Sequence, residues 1–153
     1  MKFQPDHSDT EQEFVTLMLG DQLCGVPVND VRDVLGDQPI TVIPLAPPEI
    51  AGCLNLRGRI VTVVDVRRQL GLPPAIDQTG RMSLVAERGG ELYALLVDQV
   101  VEVMRLSASR MEPPPPTLQP AWAAFSTGIY RLRKRLLVTL DVGRLLTIGG
   151  AVH

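Results

Sequence analysis

Short, mostly apolar runs punctuated by Gly, Pro, Asp and Asn recur along this chain, and they predict short β-strands rather than long helices. The best defined stretch is Gly52-Cys53-Leu54-Asn55-Leu56-Arg57-Gly58-Arg59-Ile60-Val61-Thr62-Val63-Val64-Asp65-Val66. It reads as two strands joined by a tight turn, with Asn55, Arg57 and Gly58 at the tip. From Ile60 onward both faces are aliphatic, Ile60 and Val64 on one and Val61 and Val63 on the other. A strand apolar on both faces is expected to be buried on both. Asp65 stands where an N-cap is needed, and residues 66–70 suit a single helical turn before Gly71.

The remaining elements follow in order. Residues 1–12 read as a disordered tail. Residues 14–19 form a strand, Gly20-Asp21 a hairpin turn, and 23–28 its partner, in which Pro27 marks an edge or bend. Val28, Val31 and Val34 fall three apart, a turn leading into an extended piece. A strand is predicted at 40–43 and a rigid connector at 44–48. After a polar linker at 75–80 come strands at 82–86 and 92–97, then an extended segment at 100–104. A long irregular crossing runs through Pro113-Pro114-Pro115-Pro116, Pro120 and Trp122. Residues 128–130 lead to a basic turn at 131–135, a last strand at 136–141 and a terminal helix at 142–148, with a tail at 149–153.

The two halves resemble one another. Val28, Val31, Asp33 and Val34 find counterparts 69 residues later at Val97, Val100, Glu102 and Val103. Ile60, Val61, Val64, Asp65, Val66, Arg68 and Leu70 match Leu136, Leu137, Leu140, Asp141, Val142, Arg144 and Leu146, 76 residues later. The difference between the two offsets falls in the proline-rich crossing, where insertions are tolerated. Two copies of a five-stranded unit, each small for independent stability, are expected to pack together as small barrels.

Composition narrows the function. The chain has 153 residues, 45% hydrophobic, 21% charged and only 4% aromatic, so Val, Leu and Ile must build the core. A net charge of −2 argues against bulk electrostatic binding to nucleic acid or to an anionic membrane. The N-terminus lacks the basic start and apolar segment of a secretion signal, and no apolar run approaches the ~18 residues of a membrane span. These features point to the cytoplasm. Cys24 and Cys53 read as buried free thiols, a disulfide between them being the alternative. His7 and His153 lie at opposite ends, which leaves little support for a histidine-based triad or metal cluster. No nucleophile elbow, phosphate-binding loop or Cys-x-x-Cys pair is present. Asp65 and Asp141 are explained by capping, and neither an enzyme nor a cofactor is expected.

Protein binding remains. If the halves pack side by side, segments 28–34 and 97–103 line the seam. Val31, Val34, Val100 and Val103 then either complete the core or floor an apolar groove rimmed by Asp33, Glu102 and Arg57, which would suit an amphipathic helix. The run Arg131-Leu132-Arg133-Lys134-Arg135 reads as a solvated hairpin tip. Its alternative is a small β-barrel module that binds Pro-rich or nucleic-acid ligands through this turn. The four prolines read as a rigid connector.

The order Gly-x-x-Asn-x-Arg-Gly, aliphatic strand, Asp-Val-Arg from Gly52 to Arg67 resembles the CheW family of bacterial chemosensory adaptors. Glu13-Phe14 through Gly20-Asp21, Gly25, Val31-Arg32-Asp33-Val34, Val97-Asp98-Gln99-Val100 with Val103, and residues 136–146 fit the same pattern. The resemblance covers nearly the whole chain and implies an all-β fold of two five-stranded SH3-like barrels. The expected division is 21–74 for the first barrel and 13–20 with 80–148 for the second, in one domain spanning 13–148, with a short C-terminal helix. It further implies a non-catalytic scaffold that bridges the cytoplasmic tip of methyl-accepting receptors to the regulatory domain of a CheA-type histidine kinase. Other CheW-like domains in rings are further expected partners, and direct membrane insertion is not expected. Motif matching puts receptor contact on Val31, Asp33 and Arg57, with Gly52 shaping the backbone and Val28, Val34 and Val100 in the groove. It assigns no kinase contacts. With no kinase, receiver or membrane segment attached, a free-standing adaptor recruited to receptor arrays is expected. Thr62 stands where the family usually has proline, and Asp33 is one methylene shorter than the usual glutamate.

Overall fold

Ten strands in two sheets, a further pair of two-residue strands and three short helices follow from these patterns in the computed structural model, which describes residues 10–148 and 151–152. His7, His153, most of the expected N-terminal tail (1–9) and residues 149, 150 and 153 lie outside the described residues. Strands β1 (Glu11–Leu19) and β2 (Gln22–Pro27) form a hairpin. A 3-10 turn at Val28–Asp30 leads to β3 (Asp33–Leu35), and β4 (Ile50–Leu56) and β5 (Arg59–Asp65) make the second hairpin. Helix α1 (Val66–Gln69) follows, then β6 (Met82–Arg88), β7 (Glu91–Val97) and β8 (Gln99–Ser107). Helix α2 (Pro120–Phe125), β9 (Ser126–Arg131), β10 (Leu136–Leu140) and α3 (Val142–Leu145) complete the fold.

The strands assemble into two five-stranded sheets of matching design, ordered β3-β6-β7-β5-β4 and β8-β1-β2-β10-β9. Each sheet holds one parallel pair, β5 with β7 and β10 with β2. The chain leaving β3 returns at Thr41, whose N–H and C=O pair with Cys53 on the open edge of β4 at 2.8 Å each. In the other sheet Glu112 pairs with Ile129 on β9 in the same way, at 2.9 and 2.8 Å. Each connector thereby covers an edge that would otherwise be exposed.

The sheet membership corrects the expected division of the chain. Residues 22–27 belong with β1, and residues 82–97 belong with β3, β4 and β5. The Gly20-Asp21 turn keeps β1 and β2 together, and the β6–β7 hairpin likewise moves as a unit. Each barrel is built from one hairpin of one sequence repeat and three strands of the other. The repeat seen in the sequence is not the folding unit.

The core has three parts. Val61, Val63, Leu54, Val85 and Leu96 fill the first barrel, and Phe14, Leu23, Tyr130 and Leu137 the second. Between the barrels, Val64, Leu84, Tyr93 and Leu95 of one sheet meet Val15, Leu17, Cys24 and Val138 of the other. The two faces of β5 therefore serve two cores, the barrel interior for Val61 and Val63 and the junction for Val64. Ile60 departs from this pattern and is 66% exposed, because it precedes the part of the strand that the second barrel covers.

Other expectations are revised locally. The strand begins at Glu11, inside the expected tail, because residues 11–13 pair with Ser107, Leu106 and Arg105. Residues 40–43 make a single bridge rather than a strand, since Pro39 and Pro44 bracket the run and lack the N–H a ladder needs. The crossing contains α2, started by Pro120 at its first turn and anchored by buried Trp122. The terminal helix stops at Leu145, and Thr147–Ile148 instead pairs with Ala151–Val152. Both expected caps are present: Asp65 accepts from the Arg67 N–H at 3.0 Å, and Asp141 from the Arg144 N–H at 3.1 Å.

Candidate functional site

Arg57 owes its position to the turn it occupies. With φ of 52° at Arg57 and 84° at Gly58, the β4–β5 turn has both central residues in the left-handed region, the geometry that matches strand twist. Asn55 Oδ1 braces the turn by accepting the Gly58 N–H at 2.9 Å. Glycine takes this conformation freely, but an arginine there costs about 1–2 kcal/mol. Its side chain is 78% exposed and donates from Nη2 to Asp33 Oδ2 at 3.3 Å. Because β3 and β4 are the two outer strands of their sheet, this pair spans the two edges of the first barrel. Asp33 is oriented by its second carboxylate oxygen, which accepts the Val34 N–H at 2.8 Å.

Gly52 acts on the same edge from behind. It is buried, has φ of +149°, and sits at a register shift in the β4–β5 ladder. A Cβ there would collide with the Thr41 carbonyl and lie 2.8 Å from Ile40 Cγ2. The connector can pack on β4 only because this residue has no side chain.

The valines divide by burial. Val28, Val31 and Val100 are half-buried and pack on the core between the barrels. Val34 and Val103 are 40% and 56% exposed. Segment 28–34 thus passes from the inter-barrel core to the Asp33–Arg57 pair, with apolar side chains facing first inward and then outward. Glu102, the expected rim residue on β8, is exposed, and its backbone is held by Thr16 Oγ1 at 2.8 and 3.2 Å. The arrangement offers an apolar strip with a cation and an anion at one end, which suits a polar-rimmed protein interface.

Sequence reasoning missed a junction that ties elements of the two barrels together. Arg67 donates to Asp98 from Nε at 2.7 Å and from Nη2 at 2.6 Å, a two-pronged ion pair with little solvent exposure. Asp98 also accepts the Gly20 N–H at 2.7 Å, so α1, the β1–β2 turn and the β7–β8 crossover meet on one carboxylate. Burial pushes the Asp98 pKa up. The hydrogen bonds from Arg67 and Gly20, with the charges of Arg67 and Arg81, outweigh it and hold the carboxyl below its usual range. Arg67 and Asp98 lie 31 residues apart, and no local pattern marks them as partners.

The basic turn does not favour the alternative reading of a nucleic-acid site. Arg131 is engaged by Glu112 at 2.9 and 3.0 Å. Tyr130, its aromatic neighbour, is buried against Phe14 with ring centroids 5.6 Å apart, leaving no stacking face. Arg133, Lys134 and Arg135 are exposed at the tip, as a solvated hairpin predicts.

A model of the CheW-like domain family matches residues 13–149. The chain belongs to the CheW-like domain family. A probable chemotaxis protein CheW from Rhizobium etli is 27% identical over 137 residues, covering 90% of this chain and 88% of its own. The chemotaxis protein CheW of Klebsiella aerogenes is 29% identical, covering 89% and 82%. The protein FrzA of Myxococcus xanthus is 30% identical over 105 residues, 69% of this chain and 66% of its own. The crystal structure of the scaffolding protein TtCheW from Thermoanaerobacter tengcongensis superposes with a TM-score of 0.82 at 29% identity, covering 94% of this chain and 98% of that one. Within this CheW-like fold Thr62 is paired on both sides, with Cys53 and Tyr93, a position that suits threonine better than proline.

Proposed function

We infer that this chain is a chemotaxis adaptor, a non-catalytic scaffold that couples chemoreceptors to a CheA-type histidine kinase. The surface formed by segment 28–34, Val100 and Arg57 is its receptor-facing side. The observation that carries the reading is the Arg57–Asp33 pair. A strained, exposed arginine is paired with the carboxylate that directly precedes exposed Val34, in a chain that the CheW-like domain model matches over residues 13–149. A receptor tip in the form of a helical hairpin would lay apolar side chains along Val28, Val31, Val34 and Val100 and meet Arg57 and Asp33 with polar ones. Gly52 contributes by holding the connector against β4. No helix among the described residues is long and apolar enough to cross a membrane. The adaptor reading places the chain in the cytoplasm, brought to the membrane by receptors, with other CheW-like domains as neighbours.

The test is reconstitution of kinase activity from receptor and kinase, with and without this protein. Receptor-dependent phosphorylation that rises on its addition supports the reading. Activity that does not depend on it, together with no binding to either component, refutes it.

A further inference from the structure

The two crossovers that join the barrels are equivalent by the internal repeat but are not held alike. Shifts of 69 and 76 residues carry one sheet's pairings onto the other's. Asp33 faces Val85 as Glu102 faces Thr16, and Thr62 faces Tyr93 as Val138 faces Cys24. The same shifts place Asn29 at the position of Asp98, Gly89 at that of Gly20, Gly143 at that of Arg67 and Arg88 at that of Leu19. At the 97–99 crossover Asp98 accepts from Arg67 at 2.7 and 2.6 Å and from the Gly20 N–H at 2.7 Å. At the 28–30 crossover neither member of that ion pair has a counterpart, since Asn29 carries no charge and Gly143 no side chain.

What stands in its place is weaker and wetter. Arg88 donates to the Gly143 carbonyl at 2.8 Å, a bond that reaches α3 and not the crossover. Arg32 and Glu87 pair at 3.6 Å with side chains 64% and 35% exposed, where solvent screening leaves little energy. Asn29, Asp30, Arg32, Glu87, Asp141 and Gly143 surround an open hollow of about 430 Å³. The apolar packing differs in the same sense: Val97 is buried, and its counterpart Val28 only half-buried.

We propose that the barrels are clamped on one side only, so that segment 28–34 opens locally from the inter-barrel core while 97–103 stays closed. A segment with a half-buried anchor and solvated polar contacts opens at lower free energy than one tied by a desolvated ion pair. The consequence for the adaptor rests on the receptor reading: the loose segment carries Val28, Val31, Asp33 and Val34, so a receptor tip closes it on binding.

Hydrogen exchange of the full chain, with intrinsic rates divided out, tests the clamp. The expected result is protection of 28–34 lower than that of 97–103 by about tenfold or more. Strand length also distinguishes the two segments, β3 having three residues and β8 nine, so two variants decide. Asp98→Asn should speed exchange in 97–103 by about tenfold or more and leave 28–34 within about twofold of wild type. Asn29→Asp with Arg88→Leu and Gly143→Arg copies the sister clamp, the leucine clearing the guanidinium that a Cβ at 143 would meet, and should slow exchange in 28–34 alone. Equal protection of the two segments in wild type overturns the proposal, as does an Asp98→Asn variant in which both segments speed together. A clamp copy that folds without slowing 28–34 overturns it too. If a receptor tip binds and 28–34 gains no protection while the difference in the free chain remains, the receptor reading loses this segment and the clamp stands.

Discussion

Replacing Arg57 with alanine separates the structural use of this residue from its proposed use as an interface anchor. Its ion pair with Asp33 is a single contact of 3.3 Å between side chains 78% and 33% exposed. Solvent screening and side-chain entropy limit such a pair to about 0.5 kcal/mol of folding stability. Alanine keeps the same left-handed backbone strain, so no compensating gain is expected from the turn. The variant should therefore unfold within about 0.5 kcal/mol of wild type. Truncating a buried interface arginine removes about 2 kcal/mol of binding, or about 30-fold in Kd. Receptor tip titrated into each protein by calorimetry, beside urea melts, reads both quantities. Equal affinity for the two proteins removes Arg57 from the receptor surface. A stability loss large enough to account for the weaker binding assigns the residue to the fold instead.

Three further outcomes follow from the geometry. Gly52→Ala forces a Cβ against the Thr41 carbonyl, and urea melts should show a loss of about 3 kcal/mol, the upper range for overpacking; a neutral result would mean the connector does not rest on β4. Asp98 has a folded pKa below its unfolded value of about 3.9, so its contribution is complete above that pH and disappears as pH falls through the folded value. Asp98→Asn should cost about 2 kcal/mol at pH 7, less than a fully buried pair, and should flatten the acid loss of stability below about pH 4; parallel acid profiles would sink the assignment. Burial, aided by the Asp98 charge, pushes the Cys24 thiol up, whereas Cys53 is half-buried on β4. A thiol reagent should label Cys53 in the native protein and reach Cys24 only at the rate of global unfolding, and equal rates would contradict this packing.

The Arg57 turn and the capping aspartates were legible because each is local. Asn55, Arg57 and Gly58 define a turn within four residues, and Asp65 and Asp141 each cap the helical turn that directly follows. Hydrophobic periodicity likewise revealed the β4–β5 hairpin and its counterpart ending at Leu140. Arg67 and Asp98 escaped notice because charge pairing across the chain leaves no spacing signal.

Sequence alone determined that the chain is all-β, built from two related halves, and furnished with an arginine at a hairpin tip. Those conclusions depend on interactions within one or two elements. It did not determine which strands share a barrel. Aliphatic runs such as those of β2, β5, β7 and β10 satisfy either sheet equally well, and the parallel pairings of β5 with β7 and of β10 with β2 join segments from opposite repeats. Only the packed structure decides between them, because the hairpins that move together and the core between the barrels are properties of the whole chain. That exchange places segment 28–34 over the inter-barrel core and brings Asp33 to Arg57.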